Sequence, residues 1–309
     1  MKSPILFMIF KREDTTRRVF ERIREARPPR LYIAADGPRV DRPDEVEKCN
    51  STRKVVENVD WPCEVHHLYR EENLGCGKGV SSAITWFFEH EEQGIIIEDD
   101  ILAHIDFFTY CDELLERYKD DERTQLISGW NWIYNGYKAN NSSYYLSPYM
   151  SIWGWATWKR VWDTYSFDLK GLDDQVVIKA LNEMLPHKSV AYLCDFFTRM
   201  KSFQIDTWDY QLWYNQFLYG RYSIIPYTNM ITNIGFDEDA SHTKKGSSKT
   251  ENRTASSPYP LIHPSYLDLD PIAIKMTMIN AKVYKKTILF RLWIKVKQYV
   301  KMFINIVIS

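Results

Sequence analysis

The sequence predicts an α/β protein with a mostly parallel central sheet and helices on both of its faces. Short apolar segments alternate with amphipathic segments over the first hundred residues, and polar side chains follow several of the apolar segments. Alternation of this kind is typical of repeated strand–helix–strand units, whose sheets are covered on both sides. Ligands bind such sheets beyond the carboxyl ends of the strands, so the polar positions there are the first candidates for a site.

The predicted elements follow one another without long interruptions. The strands of the first half are PILFMIF, RLYIAAD, CEVHHLY and GIIIED, and the helices between them are REDTTRRVFERIREA, RPDEVEKCNSTRKVVENV and GKGVSSAITWFFEHE. In the first helix Val19, Phe20 and Ile23 share one apolar face. A helix from about 107 to 121, the strand TQLISGW, an aromatic-rich region and helices at roughly 173–185 and 189–202 come next.

These elements divide the chain into two halves of one domain, 1–106 and 107–243. Residues 244–270 begin with a polar stretch rich in Ser, Lys and Pro, and we expect a mobile linker there. Residues 271–309 form a basic amphipathic tail that ends the predicted architecture.

Charge is distributed unevenly along the chain. The 309 residues carry a formal net charge of −1, which does not favour a nucleic-acid-binding protein. Residues 271–309 contain eight Lys or Arg and no Asp or Glu, while the body has 32 basic and 41 acidic residues. Apolar side chains recur at helical spacing among these basic residues, so we expect residues 283–309 to bind an anionic membrane surface. An ordinary amphipathic helix packed on the body is the alternative.

The cysteines and the N-terminus indicate the compartment. Five scattered cysteines without a CxxC pair predict neither a disulfide framework nor a zinc site. The first apolar run is too short for a transmembrane helix and has no cleavage-site pattern. We therefore expect a cytoplasmic protein that is peripheral on the inner face of the cell membrane.

Three consecutive carboxylates end the fourth predicted strand, in the segment QGIIIEDDILAHIDFF. Neighbouring carboxylates repel one another and lose hydration there, so they need either open solvent or a cation. If the strand stays extended, Glu98 and Asp100 face one side and Asp99 the other. Carboxylate oxygens suit Mg²⁺ or Mn²⁺, which keep open positions for substrate phosphates. Asp36 ends the second strand at the same edge of the sheet, and a solvated strand end is the alternative interpretation.

Two basic segments lie near this edge. NLGCGKGV fails the spacing of a phosphate-binding P-loop, but the N–H groups that open the third helix could face a nucleotide, with Arg70 and Lys78 nearby. A plain helix-entry turn explains the segment equally well. Lys11 and Arg12 follow the first strand, and we expect them to be solvated surface charges, with a nucleotide contact as the alternative.

The aromatic-rich region suggests that the protein binds a carbohydrate. Sugar C–H faces stack on aromatic rings, although most side chains in such a region are core. We expect Trp153 and Trp155 to line an acceptor pocket, and Trp158 and Trp162, at i and i+4 of a predicted helix, to be packing residues.

The segment IIIEDDILAHIDFF resembles the metal-binding signature of GT-A-fold nucleotide-sugar glycosyltransferases, especially bacterial relatives of the N-acetylglucosaminyltransferase I group. The segments IWGWATWKRVW, TWDYQLW and GFDEDASHT are similar to three further motifs of that group, in the same order. The four motifs lie between residues 95 and 243, and the resemblance covers roughly residues 4–243 and ends before the tail. It implies a GT-A, Rossmann-like fold with an acceptor subdomain.

The resemblance implies roles for the carboxylates of the first half. Asp100 would be the direct ligand of Mn²⁺ or Mg²⁺, while Glu98 and Asp99 would hold the ribose and the water shell of the metal. Asp36 would contact the base or the ribose. Residues 1–106 would therefore be the nucleotide-sugar-binding half.

In the second half the resemblance implies that Asp209 is the catalytic base, with Asp206 and Asp237 as alternatives. Ser241 and His242 would close over the diphosphate, and His242 would contact either the metal or the phosphate. This half would therefore bind the acceptor and carry the catalytic step.

The implied function is a metal-dependent, inverting glycosyltransferase. It would move a sugar from a nucleoside-diphosphate sugar, with UDP as the expected nucleotide, to a hydroxyl of a glycan or lipid-linked acceptor in surface-polysaccharide assembly. A sugar nucleotidyltransferase is an alternative, but it would need a glycine-rich basic signature after the first strand. A membrane-associated carbohydrate-binding protein without activity is another, and it leaves the carboxylate run 98–100 unexplained.

Overall fold

The computed structural model describes residues 1–202, 205–236 and 253–284, and the α/β prediction is confirmed. The described strands are β1 (Ile5–Ile9), β2 (Arg30–Ala35), β3 (Glu64–Tyr69), β4 (Gln93–Glu98), β5 (Ile101–Ala103), β6 (Thr124–Ser128), β7 (Tyr144–Ser147), β8 (Trp155–Trp158), β9 (Tyr222–Pro226) and β10 (Ile231–Asn233). The described helices are α1 (Glu13–Ala26), α2 (Asp44–Val55), α3 (Gly75–Phe88), α4 (Asp106–Arg117), α5 (Lys159–Trp162), α6 (Asp174–Met184), α7 (His187–Lys201), α8 (Asp209–Leu218) and α9 (Pro271–Asn280).

Eight of these strands form one sheet, in the order β3-β2-β1-β4-β8-β6-β9-β7. The four strands at the β3 end are parallel, as the alternating pattern predicted. β8 lies antiparallel between β4 and β6, so both predicted halves of the chain share a single sheet. β5 and β10 form a separate two-stranded antiparallel ribbon.

The burial of each element follows from its apolar pattern. All five residues of β1 are buried, because parallel strands are covered on both faces. Val19, Phe20 and Ile23 of α1 are buried as predicted. β3 has no fully buried residue, which agrees with its position at the edge of the sheet.

A second apolar core lies among α6, α7 and α8. Leu181, Leu193 and Phe217, one from each of these helices, are fully buried at its centre. Trp213 on α8 joins this core and donates its indole N–H to the carbonyl of Pro148, 2.9 Å away. The helical unit is thereby attached to the chain just after β7, and it presents the first turn of α8 to the carboxyl edge of the parallel strands.

The segment predicted to be a linker is described only from residue 253. Residues 253–270 contain no helix or strand, yet the N–H of Leu146 in β7 donates to the carbonyl of Asp268, 2.8 Å away. The carboxylate of Asp270 then caps α9 by accepting the N–H of Ile272 at 3.0 Å. This part of the segment is attached to the sheet, and its mobility stays a prediction.

The structure describes residues 271–284 of the basic tail, which include α9, and residues 285–309 lie outside the described residues. Of residues 283–309 the structure describes only the first two, and the side chain of Val283 is buried against the helical unit. Within the described ranges, no helix has both the length and the apolar character needed to cross a membrane. Membrane association of the tail stays a prediction.

Gly94 lets α3 pack closely on the sheet. A Cβ at this position of β4 would overlap the ring of Phe87, which is fully buried on α3, and would approach the carbonyl oxygen of Pro4 to 3.1 Å. Because the ring fills the space above the glycine, the two residues are matched in volume.

We predict that Gly94→Ala lowers the free energy of unfolding by about 1–3 kcal/mol, since the added methyl group overpacks the interface between β4 and α3. Phe87→Leu removes the opposing ring, so the double variant is expected to lose less stability than the sum of the two single variants. Urea unfolding of the four proteins measures this coupling. Strictly additive losses would contradict the volume match.

Candidate functional site

A cleft of about 650 Å³ opens at the carboxyl ends of β1, β2 and β4, where the fold prediction placed the site. This volume lies within the range of small-molecule sites. Seven of the predicted site residues line it: Asp36, Arg70, Glu98, Asp99, Asp100, Trp153 and Asp209.

The carboxylate run leaves the strand after its first member. β4 ends at Glu98, and the next two residues form a turn before β5. The alternation expected for an extended chain therefore does not hold, and Asp99 and Asp100 both face the guanidinium of Arg12. Nη2 of Arg12 lies 2.5 Å from Oδ1 of Asp99 and 2.9 Å from Oδ2 of Asp100.

Arg12 and Lys11 are not the solvated surface charges that we expected. The side chain of Arg12 is 17% exposed, and Lys11 is buried with its Nζ 2.8 Å from Oε1 of Glu45. The physical reason is strand register. Met8 of β1 lies opposite Glu98 of β4 in the parallel sheet, so the residues that follow the two strands meet at the same edge. No local sequence signal marks this pairing.

Burial determines the charge of the cluster. Burial raises the pKa of Glu98 to about 8, and the neighbouring carboxylates of Asp100 and Asp99 add to the effect. Burial also raises the pKa of Asp99 to about 6, although the cationic Arg12 opposes this. Within the described residues the carboxylate of Glu98 accepts no hydrogen bond, and the charge of Arg12 opposes the rise of its pKa without reversing it.

The segment after β10 closes one side of the cluster. The N–H of Ile234 donates to the backbone carbonyl of Asp100 at 2.9 Å. A Cβ on Gly235 would overlap the Asp100 carboxylate and would lie 2.7 Å from Nη1 of Arg12, so this approach requires glycine. Ser241 and His242 follow in the sequence, and they lie outside the described residues, as does Asp237.

Asp36 connects β2 to the start of α3. Its carboxylate oxygens accept the N–H of Leu74 at 3.0 and 3.1 Å, and burial raises its pKa. Arg70 lines the cleft and donates to Oγ of Ser82 at 2.7 Å. Lys78 is exposed on α3 and is not part of the cleft lining, so its nucleotide contact stays a prediction without a position in the cleft.

The two described candidates for the base differ in their surroundings. Oδ1 of Asp206 accepts the N–H of Gly77 at 3.0 Å, which connects the loop before α8 to the first turn of α3. This contact occupies an N–H group that the sequence offered to a nucleotide. Asp209 is the first residue of α8, lines the cleft and accepts the hydroxyl hydrogen of Thr207. Its charge contributes to the raised pKa of Glu98, so the carboxylates of two distant motifs meet in one cleft.

The two tryptophans that we expected to line an acceptor pocket lie in different surroundings. Trp153 lines the cleft, with its ring centroid 6.3 Å from that of Phe236. Trp155 does not line the cleft as we expected, because its side chain is only 1% exposed and stacks on Trp208 with ring centroids 5.7 Å apart. Since Trp155 belongs to β8 between β4 and β6, its ring is inside the core and supports the floor of the cleft through Trp208.

No family model matches the sequence, and no curated protein matches it significantly. Among solved structures, HddC from Yersinia pseudotuberculosis is 13% identical over 55% of this chain and 85% of that chain, with a TM-score of 0.33. An apo UDP-glucose pyrophosphorylase is 10% identical over 72% of this chain and 90% of that chain, with a TM-score of 0.37. At these values the likeness supports no statement about the activity of this chain.

We predict that Glu98→Gln stabilises the metal-free protein at high pH. Glu98 ionises near pH 4.5 when unfolded and near pH 8 when folded, so the native state loses stability as the pH rises between these values. Glutamine cannot ionise, so at pH 8 the free energy of unfolding of the variant should be about 1–3 kcal/mol higher than that of the wild type.

Urea unfolding with a chelator present, at pH 4.5 and pH 8, measures the effect, and the two proteins should be nearly equal at pH 4.5. Glu92→Gln, at an exposed position just before β4, is the matched control and should show no such pH dependence. An equal stability of Glu98→Gln and the wild type at pH 8 would contradict the assigned burial cost.

Proposed function

We propose that the protein is a metal-dependent, inverting glycosyltransferase of GT-A type that uses a nucleotide sugar, with UDP as the expected nucleotide. The observation that carries the proposal is the meeting of Glu98, Asp100 and Asp209 in one cleft, although the carboxylate run and the TWDYQLW segment are far apart in sequence. Carboxylates beside a cleft of this size provide both of the groups that sugar transfer needs: a place for a cation and a base.

A divalent cation fits the chemistry of the carboxylate run. The three carboxylates have one bridging guanidinium, and Glu98 has no hydrogen-bond partner within the described residues. In those same ranges no three His, Cys, Asp or Glu side chains surround a common point. Mg²⁺ and Mn²⁺ often take only one or two protein carboxylates and complete their shell with water and substrate phosphates. Asp100 would hold the cation directly and Glu98 its water shell, and the cation would supply positive charge for the leaving diphosphate.

The residues of the chain would perform the remaining steps. Breaking the bond between the anomeric carbon and the diphosphate leaves negative charge on the diphosphate, and Arg12 and Arg70 are cations of the cleft wall that favour it. The acceptor hydroxyl must lose its proton as the new bond forms, and the Asp209 carboxylate, which lines the cleft, would take it. A base that is separate from the diphosphate site favours attack from the opposite face, and hence inversion.

The lining of the cleft indicates the chemical class of the proposed acceptor. Trp153 lines the cleft, and a sugar ring can stack on its indole. We propose that the acceptor is a glycan or a lipid-linked glycan used in surface-polysaccharide assembly, which agrees with the membrane binding that we propose for the basic tail. The alternatives are a sugar nucleotidyltransferase and a carbohydrate-binding protein without activity, and the products of turnover distinguish all three.

We predict slow, Mn²⁺-dependent release of a nucleoside diphosphate when the protein is incubated with a panel of nucleotide sugars, because water can replace the missing acceptor. Chromatography of the nucleotide products measures this. A nucleotidyltransferase would instead join a nucleoside triphosphate to a sugar 1-phosphate and release pyrophosphate. The absence of both turnover and metal-dependent nucleotide binding would contradict the enzyme proposal.

We predict that Asp209→Asn lowers kcat by about 100-fold or more, since an amide cannot accept the proton of the acceptor hydroxyl. The Kd of the nucleotide should change little, because the carboxylate run is intact. Asp206→Asn is the matched comparison, since Asp206 lies in the same loop and bonds to α3. Full activity of Asp209→Asn would move the base to Asp206 or Asp237.

We propose that the tail binds the inner face of an anionic membrane. Residues 285–309 contain six Lys or Arg and no acidic residue, and deleting them leaves α9 and the buried Val283 in place. We predict that the full chain sediments with vesicles containing anionic lipid and that the truncated chain does not. Vesicles of neutral lipid are the control, and sedimentation of the truncated chain with anionic vesicles would exclude the tail as the anchor.

A further inference from the structure

Arg12 is the only charged partner shared by two members of the carboxylate run in the part of the chain that the structure describes. One guanidinium nitrogen lies 2.5 Å from Asp99 and 2.9 Å from Asp100. The side chains of Arg12 and Asp100 are each 17% exposed, and that of Asp99 is 5% exposed. Little water screens these contacts, so a change at one group is felt strongly by the others.

The surroundings of Arg12 are shaped to admit its guanidinium. Gly235 leaves room on one side, since a Cβ there would lie 2.7 Å from Nη1. Burial alone would lower the pKa of Arg12, but Asp99 and Asp100 raise it overall, so the group stays charged. Arg12 also lines the cleft, and the five N–H donors of a guanidinium exceed what two carboxylate oxygens accept from it.

The contact with Asp100 conflicts with the proposed cation site. Oδ2 of Asp100 accepts a hydrogen bond from Arg12, and the same carboxylate is the proposed ligand of the divalent cation. A divalent cation and a guanidinium on one carboxylate repel each other. The contact with Asp99 is shorter and more buried, so it is the one that can persist when the cation occupies Asp100.

We propose that Arg12 is a built-in counter-ion that competes with the divalent cation for Asp100 and turns its released N–H groups to the diphosphate of the donor. This inference rests on the proposed function, which places a diphosphate in the cleft. Guanidinium groups bind phosphate oxygens through paired N–H donors, so the released group has a suitable new partner. Cation and nucleotide binding are then coupled. Either ligand weakens the contact between Arg12 and Asp100, and this favours binding of the other ligand.

A purely structural ion pair makes the opposite prediction for cation binding. If Arg12 only held the turn at 99–100 in shape, its removal would loosen the carboxylates and weaken their affinity for a cation. If Arg12 competes for Asp100, its removal frees that carboxylate and strengthens the affinity. The sign of the change in Mn²⁺ affinity therefore separates the two roles.

The test is a titration of the full chain with Mn²⁺ in the absence of nucleotide. The electron paramagnetic resonance signal of free Mn²⁺ measures how much of the ion is unbound. We expect R12Q to bind Mn²⁺ about 10-fold more tightly than the wild type, since a repelling charge is lost. With saturating Mn²⁺, calorimetry should show UDP bound about 10-fold more weakly by R12Q, since a phosphate contact is lost. R17Q removes an Arg of the same charge from the exposed face of α1 and should leave both affinities within about 2-fold.

A second variant keeps the test decisive if R12Q does not fold, which circular dichroism reveals. R12K keeps the positive charge, but its shorter side chain reaches Asp100 less well, so Mn²⁺ binding should still be tighter than in the wild type. Equal or weaker Mn²⁺ binding by the folded Arg12 variants overturns the proposal. Mn²⁺ affinity is measured without turnover, so a wild type that binds Mn²⁺ but processes no nucleotide sugar would sink the transferase proposal and leave this inference standing.

Discussion

The structure of the cleft depends on how negative charge at the end of β4 is balanced. Three successive carboxylates begin where a strand with four fully buried residues ends, and the first two members of the run have raised pKa values. The parallel pairing of β1 with β4 brings Arg12 to the same edge, where it contacts Asp99 and Asp100. The charge balance is therefore a property of the sheet register, and it is incomplete, because one guanidinium offsets only one of the three carboxylates.

The remaining walls of the cleft are joined by hydrogen bonds from backbone N–H groups to side-chain carboxylates. Asp36 and Asp206 each accept an N–H near the start of α3, and they approach it from opposite halves of the chain. The helical unit that carries Asp209 is thereby connected to the parallel strands at the point where the two halves face each other. The cleft is consequently bounded by regular elements on both sides, which hold the side chains that line it in a fixed geometry.

The parallel half of the fold and the edge at which the cleft opens were predictable from the sequence, because parallel strands buried on both faces appear as unbroken apolar runs such as GIIIE. The insertion of β8 between β4 and β6 was not predictable, because strand order depends on contacts between distant segments. For the same reason Trp155 was assigned to a pocket, although it lies in the core, and Arg12 was assigned to the surface. Local pattern identifies a strand, but the neighbour of that strand decides what its side chains contact.

The ribbon formed by β5 and β10 has a mechanical consequence. β5 begins directly after Asp100, and β10 leads directly to Ile234, whose N–H bonds the Asp100 carbonyl. β5, the strand that leaves the carboxylate run, is thus paired with β10, and Asn233 lies opposite Ile101. The backbone of Asp100 is therefore held from two directions, by its continuation into β5 and by the hydrogen bond from Ile234. The backbone of Asp100 cannot move far unless the pairing between β5 and β10 is also disturbed.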